Sequence, residues 1–326
     1  MLRTPYFLGH SVAGESILRS LCRLGRQAPA QSRSFTVDAD LRPSFSYCVQ
    51  QVQKHDYEHY LCALQLPPQL RAASFALRAF NVEIAQVGDH ARELILGQMR
   101  MVWWRDAIDS LYKGKVLEHP VLKALAAVSE DVKLTKRRFT RLIEARNEDL
   151  DYVGPPRTLA DLESYAESTA SGILYLTLEA AGIKNTEADH AASHIGKASG
   201  LALLLRATPV HSLKRRTYLP LDVTGKHGVV EEDIYQRKSS DALNAAVFEV
   251  ADAAKAHLEK AQSMRGSLPA EALPILLPAI PVGTYLDSLQ RHNFDVFSPH
   301  LARGVCGVNP LWLQSQIMWK SWRRTF

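Results

Sequence analysis

An all-α fold is the class this sequence predicts, on three observations. From about residue 44 to 297 the apolar positions recur every three or four residues, stretches of strict apolar–polar alternation are scarce, and Pro and Gly fall mostly between the periodic runs. The first clear run is 70–87, where Leu70, Ala73, Leu77, Phe80 and Ile84 share one helix face. A second, 91–113, repeats the pattern through Leu94, Met101, Ile108 and Leu111. Further helical runs follow at 121–130, 135–150, 159–182, 186–206, 239–264 and 283–291. The breaks between them carry Pro67-Pro68, Gly114, Gly154-Pro155-Pro156, Gly182, Pro220, Gly225, Gly228 and Pro269. Connections are short except 207–230, and no fixed-period repeat appears, so the simplest architecture is a single helical domain around a long central core.

Composition excludes several function classes. The chain has 326 residues, 46% of them hydrophobic and 22% charged, which is globular and far from the disordered range. The net charge of +5 sits at the ends. Residues 1–36 hold five arginines against the one acid Glu15, and the stretch after Asp295 holds Arg303, Lys320, Arg323 and Arg324 with no acid. The body between them is slightly acidic, so nucleic acid is not an expected partner. The four cysteines, Cys22, Cys48, Cys62 and Cys306, form no C-x-x-C pair, which excludes zinc-ribbon and thioredoxin-type sites and suits a reducing compartment. No apolar run reaches the ~20 residues a spanning helix needs, and the longest, 273–283, is cut by Pro274, Pro278 and Pro281.

Residues 1–36 read as a mitochondrial transit peptide. They are rich in Arg and Ser, and Ile17, Leu18, Leu21 and Leu24 are spaced between the cations. Arg33-Ser34-Phe35 offers a cleavage context, with acids starting at Asp38; a disordered basic tail is the competing reading. The domain expectation is therefore a transit segment 1–36, a helical domain 37–300 and a basic, aromatic tail 301–326.

Three local patterns admit a plain structural reading beside a functional one. His190 and His194 are spaced i, i+4 as a metal pair would be, but no third ligand accompanies them, which favours ordinary packed or surface histidines. Gly196 and Gly200, like Ser168 and Gly172, are small residues four apart, which suits close helix contact or a ligand lying against the helix. No G-x-S-x-G, P-loop or G-x-G-x-x-G motif occurs.

The informative stretch is 196–220, in which Leu205-Arg206-Ala207-Thr208-Pro209 precedes Arg216-Thr217-Tyr218-Leu219-Pro220. It resembles the second signature of the squalene/phytoene synthase family at Gly200, Ala202, Leu205, Arg206, Arg216, Tyr218, Leu219 and Pro220. The resemblance continues in chain order through 75–89, Trp104-Arg105, His119-Pro120-Val121-Leu122, Asp149-Leu150, Tyr165 with Ser168–Gly172, and Tyr285-Leu286, covering roughly 45–297. It implies an isoprenoid-synthase-like helical domain around a central cavity. It also implies head-to-head joining of prenyl diphosphates, with Mg²⁺ held by two aspartate pairs, each one turn apart on a helix face.

Here those pairs map onto Ala85 with Asp89 and Ala207 with His211, so one of four carboxylates remains. A methyl cannot ligate Mg²⁺, and imidazole is a poor partner for a hard ion. Pro209 is further expected to end or kink the helix near Ala207–Thr208. The expectation is a pseudoenzyme with no cofactor and no bound metal. Arg206, Lys214, Arg215 and Arg216, with Tyr218, remain as residual anion-binding candidates, against the alternative of a solvated basic loop. A residual prenyl-diphosphate-binding protein or prenyltransferase is the alternative function.

Residues 75–83, 189–198, 205–209 and 321–324 are more similar to a mitochondrial branch of the superfamily that assembles respiratory complex I. That implies a protein peripheral to the matrix side of the inner membrane, with early complex I subunits or intermediates as partners. The C-terminal Trp312, Trp319 and Trp322 with Lys320, Arg323 and Arg324 fit membrane or partner contact. The competing reading is that this segment packs back as a final helix.

Overall fold

The computed structural model describes residues 39–90, 93–151 and 154–326, so the transit-peptide reading of 1–36 lies outside the described residues. Fifteen α-helices occur among the described residues: α1 (Arg42–His55), α2 (Tyr57–Leu64), α3 (Pro68–Ala85), α4 (Val87–His90), α5 (Leu94–Leu111), α6 (Pro120–Asp131), α7 (Lys136–Asp151), α8 (Leu159–Ala166), α9 (Gly172–Ala180), α10 (Thr186–His211), α11 (Leu221–Lys226), α12 (Glu231–Tyr235), α13 (Asp241–Ser263), α14 (Ala279–Arg291) and α15 (Pro310–Trp322). The described residues form no strand, only an isolated antiparallel bridge between Val305 and Val308. None of these helices is long and apolar enough to cross a membrane.

Local chemistry explains where these helices begin. Pro68, Pro120 and Pro310 stand in the first turn of α3, α6 and α15, where a missing amide donor costs nothing. Thr158 and Asp161 form a reciprocal capping box on α8. Asn185, Ser240 and Asn309 accept from the first-turn amides of Ala188, Leu243 and Leu311 to start α10, α13 and α15. The run expected over 159–182 is split: α8 passes through a π-helical segment, Glu167–Ser171, before α9.

The expectation that the helix ends near Ala207–Thr208 is corrected. α10 continues through it to His211, and the Ser212 amide reaches the Thr208 carbonyl in the ordinary i→i−4 way. Proline falls within the last turn, where only the bond to Leu205 is forfeited, so Ala207 and His211 still lie one turn apart on helical backbone. A 3₁₀ turn, Ser212–Lys214, and a left-handed Arg215 (φ 50°) then reverse the chain.

α10 is the central helix, packed against α13, α8, α9, α14 and the π-segment. Its inner face is built from small residues, with Ala188, Ala191, Ala192, Ala198 and Gly200 buried beside Ile195 and Leu201. An added Cβ at Gly196 would lie 2.4 Å from the Ser171 Cα and 2.5 Å from its backbone nitrogen, and one at Gly200 would lie 2.4 Å from the Ala166 Cβ. Of the two readings of this glycine pair, close helix packing is the one seen at Gly196. On the other side of the domain Phe80 meets Phe139 (5.2 Å between ring centroids) and Trp104 (5.4 Å) edge-on.

The C-terminal segment does pack back as a helix. α15 buries Leu313 and Ile317 completely against the domain and presents Leu311, Trp312, Met318, Trp319 and Trp322 to solvent. The packed-back reading is the one the helix shows, and its other face is apolar but exposed.

Gly196→Ala is expected to destabilise the fold by about 3 kcal/mol or more, at the upper end of overpacking costs, because the obstructing atoms are backbone. The denaturant midpoint measures this, and an unchanged midpoint would mean that the Ser171 segment yields freely.

Candidate functional site

A cavity of about 320 Å³ lies between α3, α10, α14 and the π-segment. α3 contributes Arg78, Asn81, Val82 and Ala85, spaced so that they fall on one face. α10 contributes Ser199, Gly200, Leu203 and Arg206. Leu203 is 48% exposed in the middle of the longest helix because its side chain faces this space and no neighbouring helix fills it.

At one end the site is a partly buried charge cluster. Asp56, at the break between α1 and α2, accepts from His59 Nδ1 (2.5 Å) and Arg78 Nη1 (3.3 Å). Burial would raise its pKa, but its partners His59 and Arg78 hold it down at about 2. Two residues on, Glu58 is likewise partly buried and pairs with Arg206, which also lies 3.3 Å from Cys306 Sγ. Burial opposes ionisation of both, and their mutual attraction wins: the Glu58 pKa is lowered and that of Arg206 raised. The Cys306 thiol is pushed up to about 12 by burial and by Glu58, so it stays protonated and unreactive.

The second cluster centres on Asp149 of α7. Arg216 Nη2 donates to its carboxylate (2.7 Å) and to its carbonyl (2.6 Å), while Tyr218 donates its hydroxyl at 2.9 Å. Arg146 donates to the Tyr165 hydroxyl (2.6 Å), which in turn approaches Asp149 at 3.4 Å. Burial first, then the Asp149 charge, raises the Tyr218 pKa, so this phenol is a fixed donor. His211 packs on Tyr218 with ring centroids 4.8 Å apart, and burial, then Arg216, pushes its pKa down to about 4.

These contacts place the anion-binding candidates and the motif positions. Lys214 donates to Asp89 at 2.6 Å, an exposed pair that ties α4 to the turn after α10. Arg215 makes a two-pronged pair with Glu232 on the surface. Arg206, Lys214, Arg215, Arg216 and Tyr218 all have a carboxylate of this chain as partner. The positions Ala85, Asp89, Ala207 and His211 therefore offer two methyls, an unprotonated imidazole and one carboxylate already bonded to Lys214. That donor set does not fit Mg²⁺. The described residues include no group of three or more His, Cys, Asp or Glu side chains placed to hold a metal ion. His194 bonds His257 of α13 (Nδ1 to Nδ1, 2.8 Å), and its pKa is lowered by burial and by that neighbour.

The family model described as Squalene/phytoene synthase matches residues 52–306. The chain belongs to the squalene/phytoene synthase family. Within it, the chain is 42% identical over 283 residues to "NADH dehydrogenase (ubiquinone) complex I, assembly factor 6" of Rattus norvegicus, covering 87% of this chain and 83% of that protein. The Homo sapiens protein of the same name is 41% identical over 280 residues, covering 86% and 82%. The solved squalene synthase from Alicyclobacillus acidocaldarius superposes with a TM-score of 0.70 over 79% of this chain and 97% of that one, at 21% identity, which speaks for the shared family fold alone. The counter-ions Asp56, Glu58, Asp89 and Asp149 are the part of the site that motif reading missed as partners. Only Asp89 and Asp149 lay in stretches resembling the family, and nothing local marks Glu58 as the partner of a residue 148 positions away.

Two outcomes follow. Asp149→Ala should destabilise the protein by about 3 kcal/mol, since it strands the partly buried Arg216 guanidinium; an unchanged unfolding midpoint would mean that Arg216 finds another partner. For His211 the folded pKa of about 4 lies below the unfolded value of about 6.5, so the unfolded chain binds the proton first. Stability is then complete above about pH 6.5 and falls as pH drops towards 4. His211→Asn should reduce that fall in a thermal denaturation series between pH 7 and 5, and an identical slope would remove His211 as a source.

Proposed function

We propose that this protein is a non-catalytic assembly factor for respiratory complex I, a catalytically degenerate member of its family that acts at an early step. The observation that carries this reading is the internal pairing of the site. Prenyl transfer needs a leaving diphosphate stabilised by metal ions and cations. Here Arg206, Arg216 and Lys214 are each bonded to a carboxylate of the same chain. Three of the four positions expected to carry the metal-binding aspartates, Ala85, Ala207 and His211, have no carboxylate. Similarity to the assembly factor over most of both chains points the same way. Neither the pairing nor the donor set favours the residual prenyltransferase.

The setting proposed with it is the matrix side of the mitochondrial inner membrane, with complex I subunits or assembly intermediates as partners. The Arg-rich, acid-poor composition of 1–36 supports delivery to that compartment. The outward face of α15 supports peripheral contact. Trp312, Trp319 and Trp322 are exposed beside Lys320, Arg323 and Arg324, and Arg323 lies over the Trp319 ring at 5.8 Å. Indoles and cations in this arrangement suit the headgroup layer of an anionic membrane.

Cells lacking the gene are expected to show reduced assembled complex I on native gels, restored by the wild-type chain; normal levels would overturn the reading. Charge reversal by Arg323→Glu with Arg324→Glu should weaken binding to cardiolipin-containing vesicles by about tenfold or more, since each cation contributes on the order of 1 kcal/mol at an anionic surface. Because these side chains are exposed, the fold should be unaffected, and vesicle binding at the wild-type level would assign α15 to a protein partner.

A further inference from the structure

Another pocket, sharing no wall residue with the central cavity, lies at the end of α15 and encloses about 430 Å³. Four segments meet there: the start of α3, the end of α9, the turn 270–277 and the end of α15. Leu70 and Leu277 are buried, while Pro67, Ala180, Leu273 and Pro274 keep part of their apolar surface open. A chain laid along them would take that surface out of water.

The charges of this wall differ from those of the central cavity in being uncommitted. Arg324 and Glu271 both line the pocket, both are exposed, and neither makes an ion pair with a described residue. The backbone adds a field of each sign. α3 starts here without a capping side chain, which favours negative charge, and α9 and α15 end here, which favours positive charge. Such a wall suits a headgroup that carries one charge of each sign. A membrane is the source that the surroundings favour. Trp319 and Trp322 stand exposed on the same end of α15 that supplies Ser321 and Arg324, so a bilayer reached by those indoles brings its headgroups to this pocket. Among zwitterionic headgroups, a primary ammonium keeps N–H donors that a carboxylate can accept, and a quaternary one has none.

We propose that this pocket binds one molecule of phosphatidylethanolamine, its phosphate at Arg324, its ammonium at Glu271 and an acyl chain along Pro67, Leu273 and Pro274. The assignment deepens the membrane-contact reading of α15 and rests on it.

Isothermal titration calorimetry of the full chain with dihexanoyl-phosphatidylethanolamine, kept below its micelle concentration, tests the pocket without a bilayer. Saturable one-to-one binding is expected, about three- to fivefold tighter than that of dihexanoyl-phosphatidylcholine, the scale of one exposed ion pair. Glu271→Gln should erase that preference, and Arg324→Gln should weaken both lipids by a similar factor, each with an unchanged melting temperature because the side chains are exposed and unpaired. Ala181→Trp, at an exposed position of the wall, should block both lipids; if it does not fold, the two charge variants decide. No saturable binding, equal affinity for the two lipids, or a preference that survives Glu271→Gln would overturn the proposal. Binding to cardiolipin-containing vesicles reads the membrane contact separately. Vesicle binding without uptake of the short-chain lipid would overturn the pocket alone and leave the groove to a protein partner, and loss of both would overturn the two together.

Discussion

Burying guanidinium groups along a cavity wall is tolerable only when each finds a hydrogen-bonded counter-charge, and much of this site answers to that constraint. Arg78 and Arg206 reach the wall from α3 and α10, and the break between α1 and α2 supplies Asp56 and Glu58 to meet them. The break is functional in this sense: the chain leaves the helix at Asp56 and re-enters at Tyr57, which puts two carboxylates two residues apart at one end of the cavity. Asp149 does the same work for Arg216 at the other cluster, with two tyrosines completing its shell. Electrostatic pairing thus ties α2 to α10 and α7 to the segment after α10.

The second organising element is close backbone approach. Because Gly196 has no Cβ, α10 can lie directly on the π-segment at Ser171, and this contact brings Ser199, Leu203 and Arg206 to the cavity. The two elements are linked: the small face of α10 sets its position, and its position sets where Arg206 must find a partner.

Much of the fold was legible in the sequence because helical periodicity is a local signal. Runs such as 70–87 and 239–264 appear as α3 and α13 within a few residues of the expected bounds, and the capping residues mark several boundaries. Less legible were α1 and α2, where a polar stretch and an eight-residue helix give periodicity little to work on. The π-segment inside 159–182 leaves the apolar spacing nearly unchanged. The helix end expected at Pro209 was misplaced: α10 absorbs the one missing bond, to Leu205, and closes two residues later at His211. For the site, the motif positions and cations could be named from the chain, but their state could not. Whether Arg206 faces an anion or Glu58 depends on a contact across 148 residues, and pairing at that range leaves no mark on either neighbourhood.

The unbroken course of α10 through Pro209 bears on engineering. The scaffold beneath positions 207 and 211 still presents two side chains one turn apart, so acidic residues installed there would stack as a bidentate face without any backbone repair. What would resist such a redesign is the immediate surroundings: Arg216 already committed to Asp149, and Lys214 to Asp89. New acids would compete for those two cations before they could recruit an ion from solution. Rebuilding a metal centre on this scaffold is therefore a problem of freeing charges in the right order, with geometry the smaller obstacle.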